Sequence, residues 1–239
     1  MKTVCITVFF FVWSVNASFA QKTAVYFFPG QGSDERLFSK IQLDTSLFQC
    51  HYFTYPTPNK RESLKDFAYL FIDSINPKND FILIGTSLGG MICSELADTL
   101  KPKKTIVISS AKDRKELPQR YRFQRLIPLY VLFPKKAILA GAKFMQPIVE
   151  PDRNKHEETF KAMLDDKDPL YMKRTVRMII NWKKKGHSTS IVHIHGSDDH
   201  TLPIKKVDAD YVVDEGSHMM TLTRGKEVCD LILQILASM

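Results

Sequence analysis

Four cysteines in 239 residues are too few for a disulfide-built scaffold. No internal repeat and no low-complexity tract is present, so a collagen-like fibre is excluded. The longest apolar run, Val4 to Val15, covers about 12 residues and falls short of the roughly 20 that cross a bilayer comfortably. The one glycine-rich turn before a helical pattern lacks the G-K-[ST] of a Walker phosphate loop. No nucleic-acid-binding motif is recognisable. What remains is an ordinary balance, 44% hydrophobic and 25% charged, which excludes a disordered chain and a polytopic membrane protein. The length suits one domain with room for an inserted subdomain.

The first twenty residues stand apart. Lys2 gives a positive start, the apolar run follows, and Asn16-Ala17-Ser18-Phe19-Ala20 closes it with small residues at 18 and 20. This order describes a secretory signal peptide, with cleavage expected after Ala20. The expected destination is the periplasm or the medium; an uncleaved segment would instead anchor the chain at its N-terminus. Cys50, Cys93 and Cys229 remain after cleavage, an odd number, so at least one thiol stays unpaired.

Beyond residue 22, strand and helix patterns alternate. Ala24–Phe28, Cys50–Tyr55, Phe81–Ile84, Thr105–Ile108, Ile191–Ile194 and Tyr211–Val213 are expected strands. Leu64, Phe67, Ala68, Phe71, Ile72 and Ile75 fall on one helix face. Leu88–Leu100 is a second helix, ended before Pro102, and Val228–Leu236 a last one. The rhythm predicts an α/β protein with a mainly parallel sheet of about six strands and helices on both faces. Only residues 112–187 break it. They show helical segments cut by prolines and carry 19 Lys and Arg against 9 Asp and Glu, a net of +10. The rest carries 15 against 17, so the basic excess of the chain belongs to this insertion.

The chemical signal follows the Phe81–Ile84 strand. Gly85-Thr86-Ser87-Leu88-Gly89-Gly90 is G-x-S-x-G between a strand and a helix. A serine on so sharp a turn exposes its Oγ, and the flanking glycines let strand and helix approach. The helix N-terminus directs free N–H groups at the site, and the N–H of Leu88 is placed to donate to an oxyanion. The motif arises by chance about 0.1 times in a chain this long, before the strand and helix are required. A serine needs a base, and the base an orienting acid. His218 follows the strand at 211–213, and Asp198 and Asp199 follow the strand at 191–194, where open sheets build their sites. Asp113, after the strand at 105–108, is an outside alternative for the acid.

These motifs resemble the α/β-hydrolase superfamily over nearly all of the chain from Ala24 onward. Gly85–Gly89 resembles its nucleophile elbow. Gly196-x-x-Asp199 with Pro203 resembles its acid loop and favours Asp199. Gly216-Ser217-His218 resembles its histidine loop. Phe28 to Ser33 resembles the loop that supplies a second oxyanion N–H, which implies Gln31, although Pro29 stands where the family often has histidine. The 112–187 insertion matches the position of the family's helical lid. The family's first antiparallel hairpin has no counterpart before Ala24.

The resemblance implies a catalytic Ser87, His218 and Asp199, with no cofactor and a carboxylic ester substrate, small or lipid. Thioester cleavage and acyl transfer use the same residues. A reading of another class is a non-catalytic binding or membrane-surface protein on a hydrolase scaffold. His193, His195 and His200 invite a metal, but Ser197 stands where an H-x-H-x-D-H site needs aspartate, so no metal is expected. The basic insertion, with Leu126–Pro134 among Arg120, Arg122, Arg125, Lys135 and Lys136, suits a solvated or core-packed lid, or peripheral contact with an anionic membrane. Nucleic acid is not an expected partner.

Overall fold

The computed structural model describes residues 21–188 and 190–238. The leader expected at residues 1–20 lies outside them. Six strands, β1 (Thr23–Phe28), β2 (Phe48–Tyr52), β3 (Phe81–Thr86), β4 (Lys104–Ile108), β5 (Ile191–Gly196) and β6 (Tyr211–Val213), form one sheet in the order β2-β1-β3-β4-β5-β6. Every pairing among the described residues is parallel. The central β3, FILIGT, is buried throughout, as its unbroken apolar run requires of a strand covered on both faces.

Strand residues divide by the two-residue period between two cores. Tyr26, Phe28, Leu83 and Val107 face the cluster under α1 (Leu64–Tyr69) and α2 (Leu88–Leu100). Val25, Phe27, Ile82, Ile84, Ile106 and Ile194 face the opposite cluster, with Val228 and Ile232 of the C-terminal helix. Burial of such side chains stabilises by about 1.5–3 kcal/mol each.

Two elements differ from the sequence expectation. The edge strand β2 runs two or three residues earlier, pairing Thr23 with Phe48 and Phe27 with Tyr52. Phe53 makes a last rung to Phe27 O at 3.0 Å, and Phe53 and Tyr55 then turn inward onto Phe28, Phe67 and Phe71. Their apolar character serves the core, not a strand. The helix expected through Ile75 stops at Tyr69 and resumes as a 3-10 turn at Ile72–Ser74. Leu64, Phe67, Ala68, Phe71 and Ile75 are nonetheless all buried, so the face survives the break.

Between β4 and β5 the described residues form no strand. They form α3 (Gln119–Leu126), α4 (Lys135–Val149), α5 (Glu157–Asp165) and α6 (Pro169–Ile180), joined by 3-10 turns. After β6 come the short α7 (Met220–Thr223) and α8 (Gly225–Ala237). Cys50, Cys93 and Cys229 are all free thiols.

Candidate active site

Ser87 is the single residue between β3 and α2. Its backbone has φ 54° and ψ −118°, a conformation that L-residues adopt only under strain. Tertiary contacts impose it: Ser87 N donates to Ile108 O at 3.0 Å, and Ser110 Oγ donates to Ser87 O at 2.6 Å. The strand and helix can meet this closely because Gly85 and Gly89 lack side chains. A Cβ on Gly85 would run into the backbone of Gly89, and one on Gly89 into the carbonyl of Phe28.

The carboxyl ends of β5 and β6 bring the other two groups. His218 Nε2 lies 2.9 Å from Ser87 Oγ, and His218 Nδ1 lies 2.8 Å from Asp199 Oδ2. The second Asp199 oxygen accepts from the N–H groups of Thr201 and Leu202 at 2.8 and 2.7 Å. Of the acids weighed from sequence, only Asp199 reaches His218. Asp198 instead pairs with His200 at 2.9 Å on the surface. Asp113 accepts from Lys115 N and Gly186 N at the base of the insertion.

Charge and burial set the protonation states. Burial pushes the Asp199 carboxyl up, but His218, His195 and the Leu202 N–H together hold it below the usual carboxylate range. Burial pushes the His218 imidazole down, while the charge and hydrogen bond of Asp199, with Glu150, raise it above its ordinary value. An ionised Asp199 fixes the proton on Nδ1 and leaves Nε2 to accept from Ser87.

His193 and His195 brace the loop that carries Asp199. His193 and His195 share a strand face with ring nitrogens 3.1 Å apart, and His195 Nε2 reaches Leu202 O at 2.7 Å. Burial lowers both, so both are neutral, and together they hold the acid loop against β5. No cluster of metal-ligating side chains occurs among the described residues.

The loop after β1 lies against Ser87: a Cβ on Gly30 would sit 3.4 Å from Ser87 Cβ. Tyr55 OH fixes it by donating to Pro29 O at 2.8 Å. The Gln31 side chain, which sequence reasoning left without a role, donates to Met172 O and Thr175 Oγ1 on α6 at 3.1 and 2.7 Å. Leu88, as the first residue of α2, has an N–H without an intrahelical acceptor. A cavity of about 190 Å³ opens above Ser87. Met91, Phe160, Met163, Leu164, Met172 and Leu202 make its walls largely apolar.

One further group in this cavity was not expected. Glu150, which follows α4, is almost fully buried and accepts from Met219 N at 3.0 Å. Burial raises its carboxyl to about 7, against the opposing pull of His218 and the Met219 N–H. Its only sequence signal is its position before Pro151, at the end of a long stretch without acids.

No family model matches the chain, and no curated protein sequence does. Solved structures do. An enol-lactonase from Burkholderia xenovorans LB400 superposes with a TM-score of 0.70 at 12% identity, covering 91% of this chain and 92% of its own. A thermophilic esterase from Thermogutta terrifontis gives 0.70 at 13% identity, with 90% of each chain covered. MenH from S. aureus gives 0.69 at 12% identity, over 92% and 95%. The chain has the α/β-hydrolase fold. At these identities the likeness carries the fold and leaves the chemistry to the side chains.

Proposed function

We propose that the chain is a serine hydrolase that cleaves a carboxylic ester through an acyl-enzyme. The observation that carries this reading is the unbroken path from Ser87 Oγ through both ring nitrogens of His218 to Asp199, at 2.9 and 2.8 Å. Ser87 Oγ attacks the carbonyl carbon while His218 Nε2 takes its proton. The imidazolium, steadied by Asp199, then gives that proton to the leaving alkoxide. The N–H groups of Leu88 and Gln31 receive the oxyanion. Water, deprotonated by the same histidine, releases the acid and restores Ser87. The apolar cavity walls suit a hydrophobic acyl chain. No cofactor enters these steps.

The names of the structural neighbours, an esterase and an enol-lactonase among them, are consistent with ester chemistry. The leader at 1–20 is proposed to export residues 21–239, with the 112–187 insertion as a lid. The test is fluorophosphonate labelling and turnover of p-nitrophenyl esters of increasing length, beside a thioester and an alcohol acceptor. Labelling and ester turnover in the wild type but not in Ser87→Ala support the reading. Faster thioester cleavage or transfer would reassign the reaction. No labelling of the wild type would leave a binding protein on a hydrolase scaffold. Export is tested by N-terminal sequencing of the secreted chain, which should begin at Gln21.

A further inference from the structure

The outer part of the insertion has an unusual surface. Among the described residues fourteen large hydrophobic side chains are exposed, and nine of them lie between Phe123 and Met145. Leu126 is 82% exposed, Leu132 79% and Phe144 76%, values that solvent alone would not favour in one short stretch. The charges in the same region are of one sign. No acid occurs between Glu116 and Glu150, while Arg120, Arg122, Arg125, Lys135, Lys136 and Lys143 all do. Lys143 pairs with Asp165 of α5, and Arg120 donates to Thr201 O. Arg122, Arg125, Lys135 and Lys136 are exposed beside the apolar side chains.

This segment is anchored from beneath. Ile138, Leu139 and Ala142 on the inner side of α4 pack against Leu164, Tyr171 and Met172. Lys173 Nζ donates to Val131 O and Phe133 O at 3.2 and 2.6 Å, fixing the turn between α3 and α4 to α6. The exposed face is therefore held outward by a packed inner one. No described helix is long and apolar enough to cross a membrane, so a bilayer contact would be a surface contact.

We propose that Phe123–Met145 docks on an anionic phospholipid surface, its apolar side chains entering the headgroup layer and its cations meeting the lipid phosphates. Charge complementarity selects this occupant. A second copy docked face to face would bring like cations together with no acid in either segment to relieve them. A bilayer supplies both the apolar depth and the negative charge. Tyr121 and Ala142, from α3 and α4, also line the cavity above Ser87, so docking would place the mouth of that cavity near lipid. That last consequence rests on the hydrolase reading; the docking itself does not.

The test uses residues 21–239, which hold all six strands and both cores, so that the apolar leader does not itself bind lipid. Co-sedimentation is measured with vesicles of mixed phosphatidylcholine and phosphatidylglycerol and with phosphatidylcholine alone. Preference for the mixed vesicles by about tenfold or more, weakening with added salt, is expected. Leu126→Glu/Leu132→Glu should lose binding by about tenfold or more, and so should Arg122→Gln/Arg125→Gln/Lys135→Gln/Lys136→Gln. Thermal melts check that both variants stay folded; all six positions are exposed. Absence of binding, equal binding to both vesicles, or a concentration-dependent dimer dispersed by the glutamates would overturn the proposal. Turnover is not read, so failure here leaves the hydrolase reading intact, and failure of that reading leaves this one.

Discussion

The sheet and the outer insertion use apolar residues in opposite ways. In β1, β3 and β4 nearly every apolar side chain is buried between two helical layers, and the strained Ser87 is held by that packing. From Phe123 to Met145 comparable side chains stand in solvent among cations. Similar hydrophobicity is thus buried in one place and displayed in the other. The difference lies in whether a second layer covers the element. Strands β1 and β3–β5 each have strand neighbours on both sides and β3 is buried throughout, whereas α4 is packed on its inner side alone.

The largest expected effect tests the chemical end of this contrast. Ser87→Ala should lower kcat/KM for any ester substrate by about 10⁴-fold or more, while the thermal midpoint stays near the wild type. Loss of both together would mean that the hydroxyl holds the elbow rather than the chemistry. Next comes a paired truncation. Ile84→Ala, in the core of β3, should cost about 2–5 kcal/mol of unfolding free energy. Leu132→Ala, on the exposed turn, should stay within about 0.5 kcal/mol. Denaturant unfolding measures both, and equal costs would erase the distinction between the two regions.

Glu150 joins the regions, since it follows α4 and accepts from the histidine loop. Its proton is held in the folded chain up to about pH 7, against an ordinary value of 4.5. Its contribution is therefore most favourable below that ordinary value and declines as the pH rises toward 7. Glu150→Gln should accordingly stabilise the fold above pH 7 by at most about 3 kcal/mol and change little near pH 4. Melting curves across that range would show a difference growing with pH; a constant offset would refute the burial argument.

The smallest effect is on the pH profile. In the proposed reaction His218 must be neutral to accept the serine proton, and its raised pKa places the expected acid limb of kcat/KM above the ordinary histidine value of 6.5. Where it is ionised, toward and above pH 7, Glu150 is one of the charges raising the His218 pKa, so Glu150→Gln should move the upper part of that limb to lower pH. A limb that does not move would separate Glu150 from the imidazole.

The site was legible in the sequence wherever its logic is local. The Ser87 turn depends on glycines two positions away, and Asp199 and His218 each follow their strand within a few residues. Asp199 was separable from Asp198 only by the motif around it, and the structure separates them by direction, one inward to His218 and one to the surface. Glu150 and the Gln31 side chain were not legible because their partners are distant in sequence, on the histidine loop and on α6. The β2 boundary failed for a related reason. Phe53 and Tyr55 look like strand residues but answer to Phe28, Phe67 and Phe71 in the core. In the basic insertion, apolar residues lie on both the packed and the exposed sides of α4, so the pattern did not say which side would be covered.

Gln31 has a consequence for anyone exchanging parts between such proteins. Its amide side chain is docked into the Met172 carbonyl and the Thr175 hydroxyl, while its own backbone belongs to the loop beside Ser87. A foreign insertion grafted between β4 and β5 would need to bring an equivalent pair of acceptors. Without them the graft could fold well and still leave the neighbouring loop unmoored. Inherited variation at positions 31 and 175 should therefore travel together, whereas position 172 contributes only its backbone carbonyl.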